Sequence, residues 1–127
     1  MHGGLSPLLS GLELVKFVRR PTEPADSSLL IDLLWADPDK DTRGFRHNTL
    51  RGKSVFFGPD AAEKACKGLG IDLIGWWWRT ATMYLFAYRR LATIFSAPNY
   101  CQYANDGAVM DVDKDLLCAF AILRRNS

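Results

Sequence analysis

The chain has 127 residues, 48% of them hydrophobic and 24% charged, a balance that excludes disordered, fibrous and collagen-like organisation and fits one domain or part of one. Sixteen Lys and Arg against fourteen Asp and Glu leave a formal charge of +2, too weak a field for a dedicated nucleic-acid binder, and no strongly acidic partner is implied. Three cysteines, Cys66, Cys101 and Cys118, show no C-x-x-C spacing, so they signal neither a disulfide framework nor a thiolate zinc site and fit a reducing, cytosolic or nuclear setting.

Met1-His2-Gly3-Gly4 carries no basic segment followed by an apolar one, so no secretory signal is expected. The chain opens directly on a glycine turn, as though a preceding part were missing. Residues 8–18 have apolar side chains near a helical period, closed by Arg19-Arg20-Pro21, and predict a short helix. Residues 21–28 are turn-rich. Residues 29–35 are apolar apart from Asp32 and predict a buried stretch that delivers Asp37 and Asp39 to a loop. Residues 40–52, polar and punctuated by Gly44, Asn48 and Gly52, predict a surface excursion. Gly58-Pro59-Asp60 opens a helix with apolar positions Ala62, Ala65, Cys66 and Leu69, stopped by Gly70.

The segments 71–74, 76–78, 84–88 and 91–95 are rich in β-branched and aromatic residues and read as strands. Interruptions at Asp72, Gly75 and Arg79 keep the apolar stretch short of the roughly 18 to 20 residues that a membrane span requires, so a soluble protein is expected. Residues 108–112 and 116–123 flank the polar turn Asp113-Lys114-Asp115 and predict a terminal hairpin. The second arm is apolar on both faces, which predicts a strand inside a sheet covered on both sides.

Taken singly, no residue identifies a chemistry. The two histidines, His2 and His47, are far apart in sequence and cannot alone form a histidine metal cluster. The acidic runs at 37–41 and 111–115 imitate the start of a calcium loop, then lack its glycine and closing glutamate, and read as solvated turns. Arg51 has the planar fork suited to a phosphate, although an isolated loop arginine is ordinarily a surface residue. Cys101 has no neighbouring base or cation to make it a thiolate. Trp76-Trp77-Trp78 lacks the basic surround of a base-stacking platform and reads as core or an irregular insertion.

Taken in order, several segments resemble one family: His2-Gly3-Gly4-Leu5-Ser6-Pro7, Arg20-Pro21-Thr22, Leu29-Leu30-Ile31-Asp32-Leu33-Leu34-Trp35-Ala36-Asp37-Pro38, Arg51-Gly52 and Ser96-Ala97-Pro98-Asn99-Tyr100-Cys101. They resemble the C-terminal half of the metal-dependent serine/threonine phosphoprotein phosphatases, closest to the protein phosphatase 1 branch, over about residues 2–74 and 91–124. The resemblance implies an α/β (α+β) fold, a partial calcineurin-like β-sandwich with flanking helices that lacks its N-terminal half, spanning residues 1–127 with a divergent block at 75–90.

It further implies hydrolysis of phosphoserine and phosphothreonine by two divalent metal ions, manganese, iron or zinc. By the same resemblance His2 is a metal ligand, Arg51 clamps the phosphate and Asp37 lies beside the site. Trp35 and Tyr100 wall the substrate grooves, and Cys101 lies on a mobile loop. Leu73, Leu117, Cys118 and Phe120 match a remote channel that docks regulatory subunits through R-V-x-F-type peptides, with ordinary core as the alternative reading. The implied partners are phosphoprotein substrates and regulatory subunits, not nucleic acid or membrane, in the cytoplasm, the nucleus or both.

The departures carry equal weight. The motifs G-D-x-H-G, G-D-x-V-D-R-G and G-N-H-E, which supply most family metal ligands, are absent, and Gly75-Trp76-Trp77-Trp78 stands where R-A-H brings a second histidine. The expectation is therefore a truncated phosphatase, inactive alone and binding no metal tightly. The alternative is a non-catalytic module that keeps the docking channel, and a third reading is an incomplete gene product without independent function.

Overall fold

The computed structural model describes residues 2–25, 28–76 and 83–125, with Gln102 by its backbone only. The chain folds as a mixed α/β assembly of small sheets and few helices, as the sequence predicts. Its first helix, α1, is a single turn, Glu13–Lys16, rather than the helix expected over 8–18. It buries no residue, and Leu8, Leu12, Leu14 and Phe17 are exposed. Short helices gain their stability from packing an apolar face, and of this segment only Leu9, outside the helical turn, packs against the core.

The second helix, α2, spans Leu29–Trp35, capped by Ser28, whose hydroxyl accepts from the Ile31 N–H at 3.2 Å. Pro38 disfavours a helical Asp37, and the helix ends with Ala36 extended. Only Ile31 and Asp32 of this helix are buried, so the stretch is amphipathic rather than wholly interior. Gly3 and Gly4 donate to the Leu33 and Asp32 carbonyls at 3.0 and 3.2 Å. A Cβ at Gly3 would overlap the backbone of Leu34 and Trp35, and one at Gly4 the Phe57 ring. The glycine pair is thus a close-packing requirement against the end of α2.

Strands β1 (Asp37–Pro38), β2 (Phe45–His47) and β3 (Val55–Phe57) form one sheet in the order β1-β3-β2. β3 is parallel to β1 and antiparallel to β2, with Asp37 opposite Phe56 and His47 opposite Val55. The polar segment 40–52 is therefore not merely a surface excursion, because it contributes β2 and buries Thr42 and Asn48. Helix α3, Pro59–Leu69, follows with Pro in its first turn and Gly70 left-handed at φ 64° as its stop. It lays Ala61, Ala62 and Cys66 on a core shared with Leu5, Phe57, Ile74, Trp76, Phe86 and Leu91.

A second sheet joins β4 (Ile74–Trp76), β5 (Met83–Phe86) and β6 (Leu91–Ile94) in the order β4-β6-β5. Trp76 is buried in β4, which fits the core reading; Trp77, Trp78 and the rest of 77–82 lie outside the described residues. The chain ends in the predicted hairpin, β7 (Gly107–Val112) and β8 (Cys118–Leu123). β8 is not interior: apart from half-buried Phe120 its residues are exposed. An apolar pattern on both faces reports that a strand is suited to being covered, and within this chain its ladder partner is β7. Among the described residues no helix is long and apolar enough to cross a membrane.

Candidate functional site

Residues from the end of α2, β1 and the 48–54 loop converge. Arg51 donates through Nε to Asp37 Oδ2 at 2.9 Å and through Nη2 to Asp37 Oδ1 at 3.2 Å, a two-point pairing that fixes the guanidinium plane. Asp37 is buried, and its Oδ2 also accepts from Asn48 Nδ2 at 2.8 Å. Asn48 has no exposed surface (0%) and ties the loop shut: its Oδ1 accepts from the Arg51 N–H, and its own N–H donates to the Ser54 carbonyl at 3.0 Å. Asp37 therefore acts on Arg51 as its orienting partner.

Trp35 stands over the same place. The Arg51 guanidinium carbon lies 5.8 Å from the centre of its ring and the Lys53 ammonium 4.7 Å from it, so two cations face one indole. Gly52, left-handed at φ 66°, turns the loop between them. Beneath the loop a second network fixes its far end, where Ser6 Oγ and Ser54 Oγ donate to the two oxygens of buried Asp32 at 2.6 and 2.7 Å.

Asp39, one of the acidic residues delivered to the loop, accepts from the hydroxyl of Thr42 and from Arg46. The Thr42 hydroxyl above all, with the Asp41 N–H and the Arg46 guanidinium, holds its carboxyl below the usual range against the opposing effect of burial. Asp113 accepts from the Asp115 and Leu117 N–H groups. Residues 39–41 and 113–115 are turns closed by their own backbone or neighbours, as the sequence suggests, but Asp37 is buried in β1 and Asp111 and Val112 belong to β7, so neither run is a solvated turn throughout.

The site residues expected from the sequence separate into groups. His2 is exposed and adjoins Gly3, which packs on the backbone at the end of α2. Tyr100 and Cys101 lie in the 3₁₀ turn after β6: Tyr100 packs edge-on against Phe95 at 5.2 Å, and Cys101 is exposed in a left-handed conformation, φ 46°. That turn is anchored by buried Asn105, whose side chain accepts from the Tyr100 N–H and donates to the Ala97 carbonyl. Leu117 and Cys118 are exposed on the hairpin, Phe120 is half-buried there, and Leu73 is half-buried ahead of β4.

Asn48, Lys53, Asn105 and the Ser6–Asp32–Ser54 network escaped sequence reasoning. A usable signal existed for Asp32, since a carboxylate within an apolar run must find hydrogen-bond donors.

A family model described as calcineurin-like phosphoesterase matches residues 1–76, the segment that carries this cluster. The chain belongs to the calcineurin-like phosphoesterase family. Among solved structures this calcineurin-like chain is similar to a protein serine/threonine phosphatase from Saccharomyces cerevisiae, described as having similarity to human phosphatase PP5. The TM-score is 0.85 at 27% identity; the match covers 100% of this chain and 44% of the yeast one. The chain thus spans less than half the length of that relative.

Calcineurin-like metallophosphatases use divalent metals. Among the described residues no group of three or more His, Cys, Asp or Glu side chains is disposed to hold an ion. The carboxylate nearest Arg51, Asp37, is engaged by Arg51 and Asn48. The donor set of these residues alone does not fit a two-metal centre.

Proposed function

We propose that this chain is the C-terminal half of a serine/threonine phosphoprotein phosphatase catalytic domain, in which Arg51, aligned by Asp37 and Asn48, binds the phosphate of phosphoserine or phosphothreonine. The observation that carries the reading is the two-point Arg51–Asp37 pairing beside Trp35, within the family-matched segment. A guanidinium held in plane by a two-point pairing is already oriented, and the planar fork of an arginine suits the oxygens of a tetrahedral anion. The sequence segments favour the protein phosphatase 1 branch, and the solved relative, described as similar to PP5, supports the serine/threonine class.

By the family resemblance the hydrolytic chemistry would come from two divalent ions, manganese, iron or zinc, and His2 would be one of their ligands. Phosphate-monoester hydrolysis needs accelerations of up to about 10²¹-fold, and a single imidazole does not hold two ions. The 127 residues by themselves therefore bind metal weakly and do not turn over. Incubating the chain with a phosphoserine peptide and manganese is expected to release no phosphate above background, while the peptide binds and Arg51→Gln weakens that binding at least about tenfold. Turnover at rates typical of phosphatases overturns the first half of the reading, and binding indifferent to Arg51→Gln overturns the second.

A second reading is favoured by the exposed hairpin. Leu117, 69% exposed, and Cys118 stand beside half-buried Phe120, which supports a module that docks R-V-x-F-type regulatory peptides with Leu73. Capture by such a peptide, lost on Phe120→Ala, would support it; capture unaffected by that change removes it. Three free cysteines support a reducing compartment, cytoplasm or nucleus.

A further inference from the structure

Behind the 48–54 loop lies a cavity of about 650 Å³, lined by Ser28, Asp32, His47, Gly52, Lys53 and Ser54 with an apolar wall that includes Ile31 and Val55. Its polar lining is asymmetric. The Asp32 carboxylate is buried, and each of its oxygens already accepts a serine hydroxyl, so its charge is spread into hydrogen bonds. Lys53 is half-buried and, among the described residues, makes no ion pair with a carboxylate; its ammonium rests 4.7 Å from the Trp35 ring centre. An aromatic face holds a cation in place without neutralising it. Lys53 thus brings an anchored positive charge to the cavity lining, two residues beyond Arg51 in the chain, with its ammonium against the same indole that Arg51 faces.

We propose that Lys53 is a specificity-determining residue that seats the carboxylate of an aspartate or glutamate flanking the phosphorylated residue of a peptide. This inference rests on the reading of Arg51 as the phosphate-binding group. Arg51 and Lys53 lie 5.8 and 4.7 Å from one ring centre, so their charged groups are no more than about 11 Å apart, a span that one to three residues of extended peptide cover at about 3.3 Å each. The apolar wall accommodates the methylene of the acidic side chain, and Trp35 sets the distance between the two cations by packing against both.

The test uses the full chain and two phosphoserine peptides that differ only in Asp or Asn at the flanking position, with affinities read by calorimetry. The Asp peptide is expected to bind about fivefold tighter than the Asn peptide, with the difference shrinking at high salt. Lys53→Gln is expected to bring that ratio to about one and Lys53→Arg to retain it, with thermal melts verifying that each variant folds. Equal affinity of the two peptides for the unaltered chain, or a ratio that survives Lys53→Gln, overturns the assignment of Lys53 while leaving the phosphate reading intact. Absence of binding by either peptide overturns the phosphate reading, and this inference with it.

Discussion

The loop that carries Arg51 and the hairpin that ends the chain are both short excursions between well-defined residues, yet they are built on opposite terms. In and beneath the loop, Asn48, Asp37 of β1 and Asp32 of α2 are buried and each is hydrogen-bonded by a named neighbour, so the side chains hold one another in a single geometry. In the hairpin, the six-residue ladder of β7 and β8 is regular, but Val112, Leu116 and Leu117 are 51%, 69% and 69% exposed. Polar burial demands a partner immediately, and the chain supplies it. Apolar exposure has only a diffuse cost, and the hairpin tolerates it while still forming its backbone ladder.

The largest expected effect contrasts the core beneath the loop with the hairpin. Phe57→Ala removes a ring with no exposed surface (0%) and is expected to destabilise the chain by about 3–5 kcal/mol, whereas Leu117→Ala is expected to change stability by less than about 0.5 kcal/mol. Urea unfolding of the two variants measures both. A cost of 2 kcal/mol or more, on the order seen for buried leucines, at Leu117 would break the comparison by showing that the hairpin is covered in solution.

A smaller effect is expected within the loop's own foundation. Asp32→Ala leaves the Ser6 and Ser54 hydroxyls without their acceptor in a buried setting, an expected loss of about 2–3 kcal/mol. Asp37→Asn keeps the shape but removes the charge that aligns Arg51, whose side chain is 33% exposed, so the loss should be nearer about 1 kcal/mol. The same unfolding measurement ranks them. A greater loss at Asp37 than at Asp32 would mean that the ion pair, rather than the buried hydroxyl network, holds the loop.

How much of this was legible depended on which interactions the pattern encodes. Helix α3 was readable because Pro59, the apolar period and Gly70 are local signals for a start, a face and a stop. The hairpin was readable for the same reason, but the environment of β8 was not, because alternation and apolar content do not name a covering partner. The stretch 8–18 shows the converse failure: its period is genuine, yet only Glu13–Lys16 is helical, and that turn buries none of its residues. At the site, the segments around Trp35, Asp37 and Arg51 pointed to the calcineurin-like phosphoesterase family. Asn48 and Lys53 remained hidden, since their importance arises only when a positive-φ glycine folds residues 48–54 back on α2.

The smallest effect sharpens the comparison through acid. Asp60, at the start of α3, accepts the Gly44 N–H on both carboxylate oxygens, at 2.9 and 3.0 Å, and that bond above all holds its carboxyl below the usual range. Asp39 is lowered chiefly by the Thr42 hydroxyl. For both groups the folded-state pKa is below the unfolded one, so their contribution is complete above the unfolded value of about 4 and disappears as pH falls through the folded value. Acidification from pH 5 to 3 should therefore loosen the 39–46 segment before the core gives way. Amide exchange at Gly44 is the direct readout, and Asp60→Asn should remove most of its pH dependence. If Gly44 protection is unchanged over that range, the carboxylate is not what fastens this segment to α3.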